Sequence, residues 1–162
     1  MAAKRELAVC PIGHVAEGRS PADEGDRWEE SESLVEIDPP WLEALDGIEG
    51  FSHIWVVWWP DQPPARPASD SLRVHPEMRD ELPLVGVLAT RSPRRPNPIA
   101  ITAVRLLGRR GGRLRVQGLD AFQGTPILDI KPYLRRGDLI PEARMAEWLE
   151  RLYQIHDQER GE

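Results

Sequence analysis

Punctuation constrains this chain more than any other feature. Sixteen prolines and thirteen glycines cut its 162 residues into short apolar runs. Most runs are too brief for a helix and rich in β-branched or aromatic side chains, the composition of strands. Leu7–Val15, Leu34–Ile37, Phe51–Trp59, Leu84–Thr90, Ile99–Leu107, Arg113–Gln117 and Pro126–Ile130 read as strands. Gly108–Gly112 joins two of them as a hairpin; in its second arm Leu114 and Val116 alternate with Arg113, Arg115 and Gln117, which gathers the arginines on one face. Six prolines between Pro60 and Pro83 mark an irregular excursion with a short strand over Leu72–His75. Asp38–Gly47 carries helix punctuation, with Asp38 as cap, Pro39 as first helical residue and Gly47 as stop. From about Pro141 to His156, the residues Met145, Trp148, Leu149, Leu152 and either Ile155 or His156 follow helical spacing and predict an amphipathic helix whose apolar stripe covers the sheet. Many short strands and few helices predict a mainly β chain, a small barrel or sandwich and not a doubly wound α/β fold. The length fits one domain, with a barrel core over about 7–135 and a C-terminal helix over about 141–156.

Several classes are disfavoured. His14, His53, His75 and His156 are scattered without zinc-ligand spacing, so no metal is expected. Met1–Glu6 is polar and Leu7–Val15 is too short for a membrane span, so neither a signal peptide nor a membrane anchor is expected. The single Cys10 cannot form an internal disulfide, which suits the reducing cytoplasm, and its apolar neighbours predict a buried thiol. The formal charge of −6 hides a segregation. Residues 91–115 hold eight arginines and no acid, a local +8 that leaves −14 for the rest. Such asymmetry steers a polyanion to one face. It is also what a solvated strand face looks like in a chain with 19 Arg and 2 Lys.

Two stretches exceed what scaffold requires. In Gly86–Val104 (GVLATRSPRRPNPIAITAV), three prolines and three arginines surround Asn97, the only asparagine in the chain. Proline holds Ser92, Arg95 and Asn97 extended, so polar groups are presented with little ordering cost. In Gly118–Tyr133 (GLDAFQGTPILDIKPY), Gly124 permits close backbone approach, Asp120 supplies a carboxylate and Thr125 a hydroxyl.

With Phe51–Trp59 (FSHIWVVWW), these two stretches closely resemble the TsaA-like (TrmO) family of tRNA methyltransferases over roughly residues 7–135. The resemblance implies an unusual β-barrel fold that binds S-adenosyl-L-methionine, partly across a homodimer. It also implies methylation of N6 of threonylcarbamoyladenosine at position 37 of a tRNA. Cofactor contacts are implied at Asp61, Gln62, Arg91, Ile101, Leu119, Asp120, Ala121, Phe122, Gln123, Gly124, Thr125 and Pro126, with a further set at Glu17-Gly18-Arg19. Asp120 is the candidate general base. Arg94, Arg95, Arg109, Arg110, Arg113 and Arg115 are candidate RNA contacts through phosphate neutralisation. The chain departs from the family pattern at Asp61 (commonly His), Ala100 (commonly Gly) and Gln123 (commonly Asp), and longer members carry a C-terminal extension that it largely lacks. Two alternatives stay open: methyl transfer to a small molecule or protein, and a cofactor-binding module without turnover.

Overall fold

The computed structural model describes residues 6–23, 27–61 and 72–161. In chain order they form β1 (Gly13–Glu17), β2 (Glu32–Ile37), β3 (His53–Trp58), β4 (Arg73–Val74), β5 (Val85–Gly86), β6 (Ala100–Arg110), β7 (Arg113–Gln117), β8 (Pro126–Pro132), α1 (Arg135–Asp138) and α2 (Glu147–Arg160). They fall into two compact units, one within Met1–Pro63 and Pro98–Tyr133, the other within Pro64–Asn97 and Leu134–Glu162.

Alternation lets the first unit close on itself. β1, β2, β7, β6, β3 and β8 form a closed barrel in that order, each neighbouring pair antiparallel. The interior holds Val15, Val35, Ile54, Val56, Val104, Leu114, Val116 and Ile127, with Leu119 and Ala121 among them. Register sets Val35 opposite Leu114 and Ile54 opposite Val104, so branched side chains meet in layers. Each large apolar side chain fully buried in this way contributes about 1.5–3 kcal/mol. Closure leaves no open edge for stray pairing. The shortest seam is β1–β8, with only Gly13↔Ile127 and His14↔Pro126 in register. On the other side of β1, toward β2, a Cβ on Gly13 would collide with the Glu36 carbonyl oxygen, so only glycine fits.

The mainly β barrel with a short helix and a C-terminal amphipathic helix is the class the sequence predicts. Individual elements differ. The first strand begins at Gly13, not Leu7. Pro11 has no N–H to donate to a ladder, and Leu7, Val9 and Cys10 are exposed, which corrects the expected buried thiol. Asp38–Gly47 folds as a 3₁₀ helix over Pro39–Leu45, without a side-chain cap from Asp38. Two consecutive prolines remove two donors there, and i→i+3 bonds such as Trp41 N–H to the Asp38 carbonyl (2.9 Å) take over. β6 runs on to Arg110, past a bulge between Leu106 and Gly108, and the turn shrinks to Gly111-Gly112, with Gly111 at φ +59°.

In the second unit β4 pairs with β5. The expected strand over Leu84–Thr90 stops at Gly86 because Val87–Ala89 turns as 3₁₀, closed by the Thr90 hydroxyl donating to the Val87 carbonyl (2.8 Å). The C-terminal helix begins at Glu147, since Ala146 is still extended, and buries Leu152 while Met145 lies outside it, exposed. Arg79 grips both carboxylate oxygens of Glu159 at 2.8 Å, and His156 Nε2 lies 2.8 Å from Glu77, so α2 is tied to the segment before β5.

Candidate functional site

At one end of the barrel, three segments are laid side by side by backbone bonds. β1 ends at Glu17, and Gly18 lets the chain pass close to β2: a Cβ there would approach Ser33 Oγ to 2.9 Å and Val15 to 3.2 Å. The path delivers Arg19 into a parallel bridge with Phe122. Gln123 N–H donates to the Arg19 carbonyl (2.8 Å), Gly124 N–H to the Val15 carbonyl (2.8 Å), and Val15 N–H to the Thr125 carbonyl (3.0 Å). Gly124 (φ +90°) and Gly118 (φ +83°) hold left-handed conformations that favour glycine. Residues 119–126 are thus a braced loop, not a loose turn.

Bracing sorts the side chains. Leu119, Ala121 and Thr125 are buried, while Asp120, Gln123 and Gly124 face solvent and Phe122 is half-buried. An Arg19 Nη1–H points at Asp120 Oδ1 (3.5 Å), and the guanidinium carbon lies 5.8 Å from the centre of the Phe122 ring, a cation–π distance. The Asp120 side chain is 55% exposed, yet lost hydration pushes its carboxyl above the ordinary aspartate range; Arg19 opposes that shift and Glu29 adds to it. Glu29 comes from the 3₁₀ turn Trp28–Glu30, whose neighbourhood is fixed by Gly118 N–H donating to the Ser31 carbonyl (3.0 Å).

The other candidate residues are distributed as follows. Trp59 N–H donates to the Pro126 carbonyl (3.0 Å), so the chain leaving β3 toward Asp61 starts beside the end of the loop. Asp61 is exposed, and Gln62 lies outside the described residues. Ile101 faces outward on β6 opposite Val57 and is 46% exposed. Arg91, Arg94 and Arg95 belong to the second unit, on a loop stapled by its own groups: Ser92 N–H to Thr90 Oγ1 (3.2 Å), Arg94 N–H to Ser92 Oγ (3.3 Å) and Arg95 Nη1–H to the Thr90 carbonyl (3.2 Å). Arg91 is exposed there.

The arginine hairpin carries less free charge than its sequence suggests. Arg109 is 14% exposed, pairs with Asp46 (3.2 Å) and Glu49 (3.4 Å), and donates to the Leu45 carbonyl (2.8 Å), which pins the 3₁₀ helix to β6. Arg113 pairs with Glu36 (3.1 Å) and Arg115 with Glu32 (3.7 Å) across the β2–β7 ladder, while Arg110 is exposed. Sequence reasoning missed these acids because they come from elsewhere in the chain: Glu36 directly opposite Arg113 on β2, Glu32 diagonal to Arg115 on the same strand, and Asp46 and Glu49 from the segment after the 3₁₀ helix. It missed Glu29 altogether, for which no local motif gives a signal. No group of three or more His, Cys, Asp or Glu suited to a metal occurs among the described residues. No described helix is long and apolar enough to cross a membrane.

Residues 17–139 match the sequence profile of the tRNA-methyltransferase O N-terminal domain. The chain belongs to this family. It is 42% identical over 131 residues to a "Probable S-adenosyl-L-methionine-binding protein" of Methanothermobacter thermautotrophicus, covering 79% of this chain and 90% of the relative. A Pseudomonas aeruginosa protein called "Putative S-adenosylmethionine-dependent methyltransferase RcsF" is 41% identical over 68% of this chain and 48% of its own length. A solved structure titled "Crystal structure of TrmO" superimposes with a TM-score of 0.70 at 31% identity, covering 98% of this chain and 77% of that one.

Proposed function

We propose that this chain binds S-adenosyl-L-methionine on the loop 118–126 and transfers its methyl group to N6 of threonylcarbamoyladenosine at position 37 of a tRNA. The observation that carries the reading is the loop itself: nine residues braced against β1, with one carboxylate turned outward beside an aromatic ring and an arginine. The donor set suits the cofactor. A sulfonium is a diffuse cation that carboxylates and ring faces attract, and the exposed residues Gln123 and Gly124 lie beside the Asp120 carboxylate on the same loop. Names borne by relatives, one an S-adenosyl-L-methionine-binding protein and another a methyltransferase, support the same cofactor.

When bound, the cofactor supplies an electrophilic methyl group for in-line displacement. The protein's part is alignment and proton handling. The acceptor nitrogen is a poor nucleophile until its proton leaves, and Asp120 is the group available to take it. Burial raises the Asp120 carboxyl toward the pH at which a base works best, while Arg19 keeps it from rising further. Arg110 on the β6–β7 hairpin is the arginine we assign to tRNA phosphates. A second reading, methyl transfer to a small molecule or protein, is favoured by one observation: Arg109, Arg113 and Arg115 already pair with acids of this chain. Transfer of a labelled methyl group into tRNA, followed by nucleoside mass spectrometry, decides between them. Label at N6 of the modified adenosine supports the first reading. Cofactor binding without any label in tRNA removes it.

A further inference from the structure

Arg19 is nearly enclosed, with 9% of its side chain exposed. Taking a guanidinium out of water is costly, and its planar fork is best used where it orients a partner. Three contacts of Arg19 end within residues 120–123: the ion pair with Asp120, the approach to the Phe122 ring, and the main-chain bridge in which Gln123 donates to its carbonyl. Gly18 eases this close passage, since a Cβ there would press on the Ser33 hydroxyl and the Val15 side chain. One residue from the start of the chain therefore grips the loop by backbone, ring and charge at once.

We propose that Arg19 is the positioning residue of this site, a fixed cation that holds the Asp120 carboxylate and its loop in the arrangement that receives S-adenosyl-L-methionine. The inference rests on the cofactor reading above. Arg19 acts through Asp120 and not on the methyl group. Among the described residues, the charged groups that act on Asp120 are Arg19 from the β1 side and Glu29 from the Trp28–Glu30 turn, and they pull its protonation in opposite directions.

The test is calorimetric titration with S-adenosyl-L-methionine across a pH series. Wild type is compared with Asp120→Asn, Arg19→Met, Arg19→Lys, Glu29→Gln and the Arg19→Met/Asp120→Asn double variant. Arg19→Met keeps an apolar stem and loses the charge; it should weaken binding about tenfold and move the acid limb of the affinity profile to higher pH. Arg19→Lys should restore part of the affinity, and Glu29→Gln should move the limb to lower pH. With Asn at position 120, Arg19→Met should cost little more, because its partner is already gone. If Asp120→Asn weakens binding but folded Arg19→Met keeps wild-type affinity and pH limb, the inference is overturned and the site stands. If wild type does not bind, or Asp120→Asn binds normally, the site reading falls and the inference with it. Should Arg19→Met fail to fold, Arg19→Lys and Glu29→Gln decide: unchanged affinity and limb in both overturn the proposal.

Discussion

Asp120 makes folding and binding pull against each other. Its carboxyl is raised in the folded chain, so the native state binds more protons than the unfolded one between the ordinary aspartate value and the raised one. Stability from this group is therefore present at low pH and is lost as pH rises through that window, leaving a penalty at neutral pH. Asp120→Asn removes the penalty. The variant should melt no lower than wild type at neutral pH, and higher if the penalty is appreciable, while its affinity for S-adenosyl-L-methionine falls by about 1–3 kcal/mol, the size of a lost charge-assisted hydrogen bond. Paired melting curves and titrations check both halves; a lower melting temperature contradicts the linkage. Asp120 and its loop were legible in the sequence because Gly124, Thr125 and Pro126 punctuate a short segment. The grip of Arg19 was not, since it joins residues 101 positions apart through a bridge that no local pattern encodes.

At the scale of elements, the hairpin of β6 and β7 holds two kinds of arginine. Arg109 is a latch, bonded to carbonyls of the 3₁₀ helix and to the carboxylates of Asp46 and Glu49 just after it. Arg110, its neighbour, is exposed. Arg109→Ala should lower stability by about 1–3 kcal/mol, chiefly by leaving the part-buried Leu45 carbonyl without its donor, since Asp46 and Glu49 are largely exposed and their pairing adds little. Arg110→Ala should leave the melting temperature unchanged. In tRNA binding the order reverses: Arg110→Ala should flatten the salt dependence by about 0.7–0.9 units of slope if one phosphate contact is lost. Filter binding at several salt concentrations beside thermal melts separates the two roles. Strand identity and the barrel class were readable from alternation and from Gly and Pro, since both are local. Element ends were not. Pro11, the Pro39-Pro40 pair and the Thr90 hydroxyl each set a boundary through a single bond, made or missing, that the alternation of apolar side chains does not register.

At the scale of the molecule, the outer wall of β3 and β6 is unusually apolar: Ile101 lies opposite Val57 and Ala103 opposite Trp55, with Ile101 and Ala103 exposed. We propose that the homodimer implied by the family resemblance forms through this wall, since apolar side chains grouped on an exposed sheet face favour association. Light scattering should report a dimer for wild type and a monomer for Ile101→Arg; a wild-type monomer that binds cofactor contradicts the assignment. The barrel's narrowest join has a different consequence. β1 and β8 meet over two register pairs, and the bonds that extend this join, Val15 N–H to Thr125 and Gly124 N–H to Val15, are those that brace the loop. Opening the join and dismantling the site are then one fluctuation, and the amides of Val15 and Gly124 record its frequency by exchanging with deuterium. A ligand that needs the loop closed must suppress that fluctuation. At a free concentration of about 100 Kd, S-adenosyl-L-methionine should slow exchange at these two amides about a hundredfold. Amides between β2 and β7, far along the ladder, should slow only where global unfolding sets their rate.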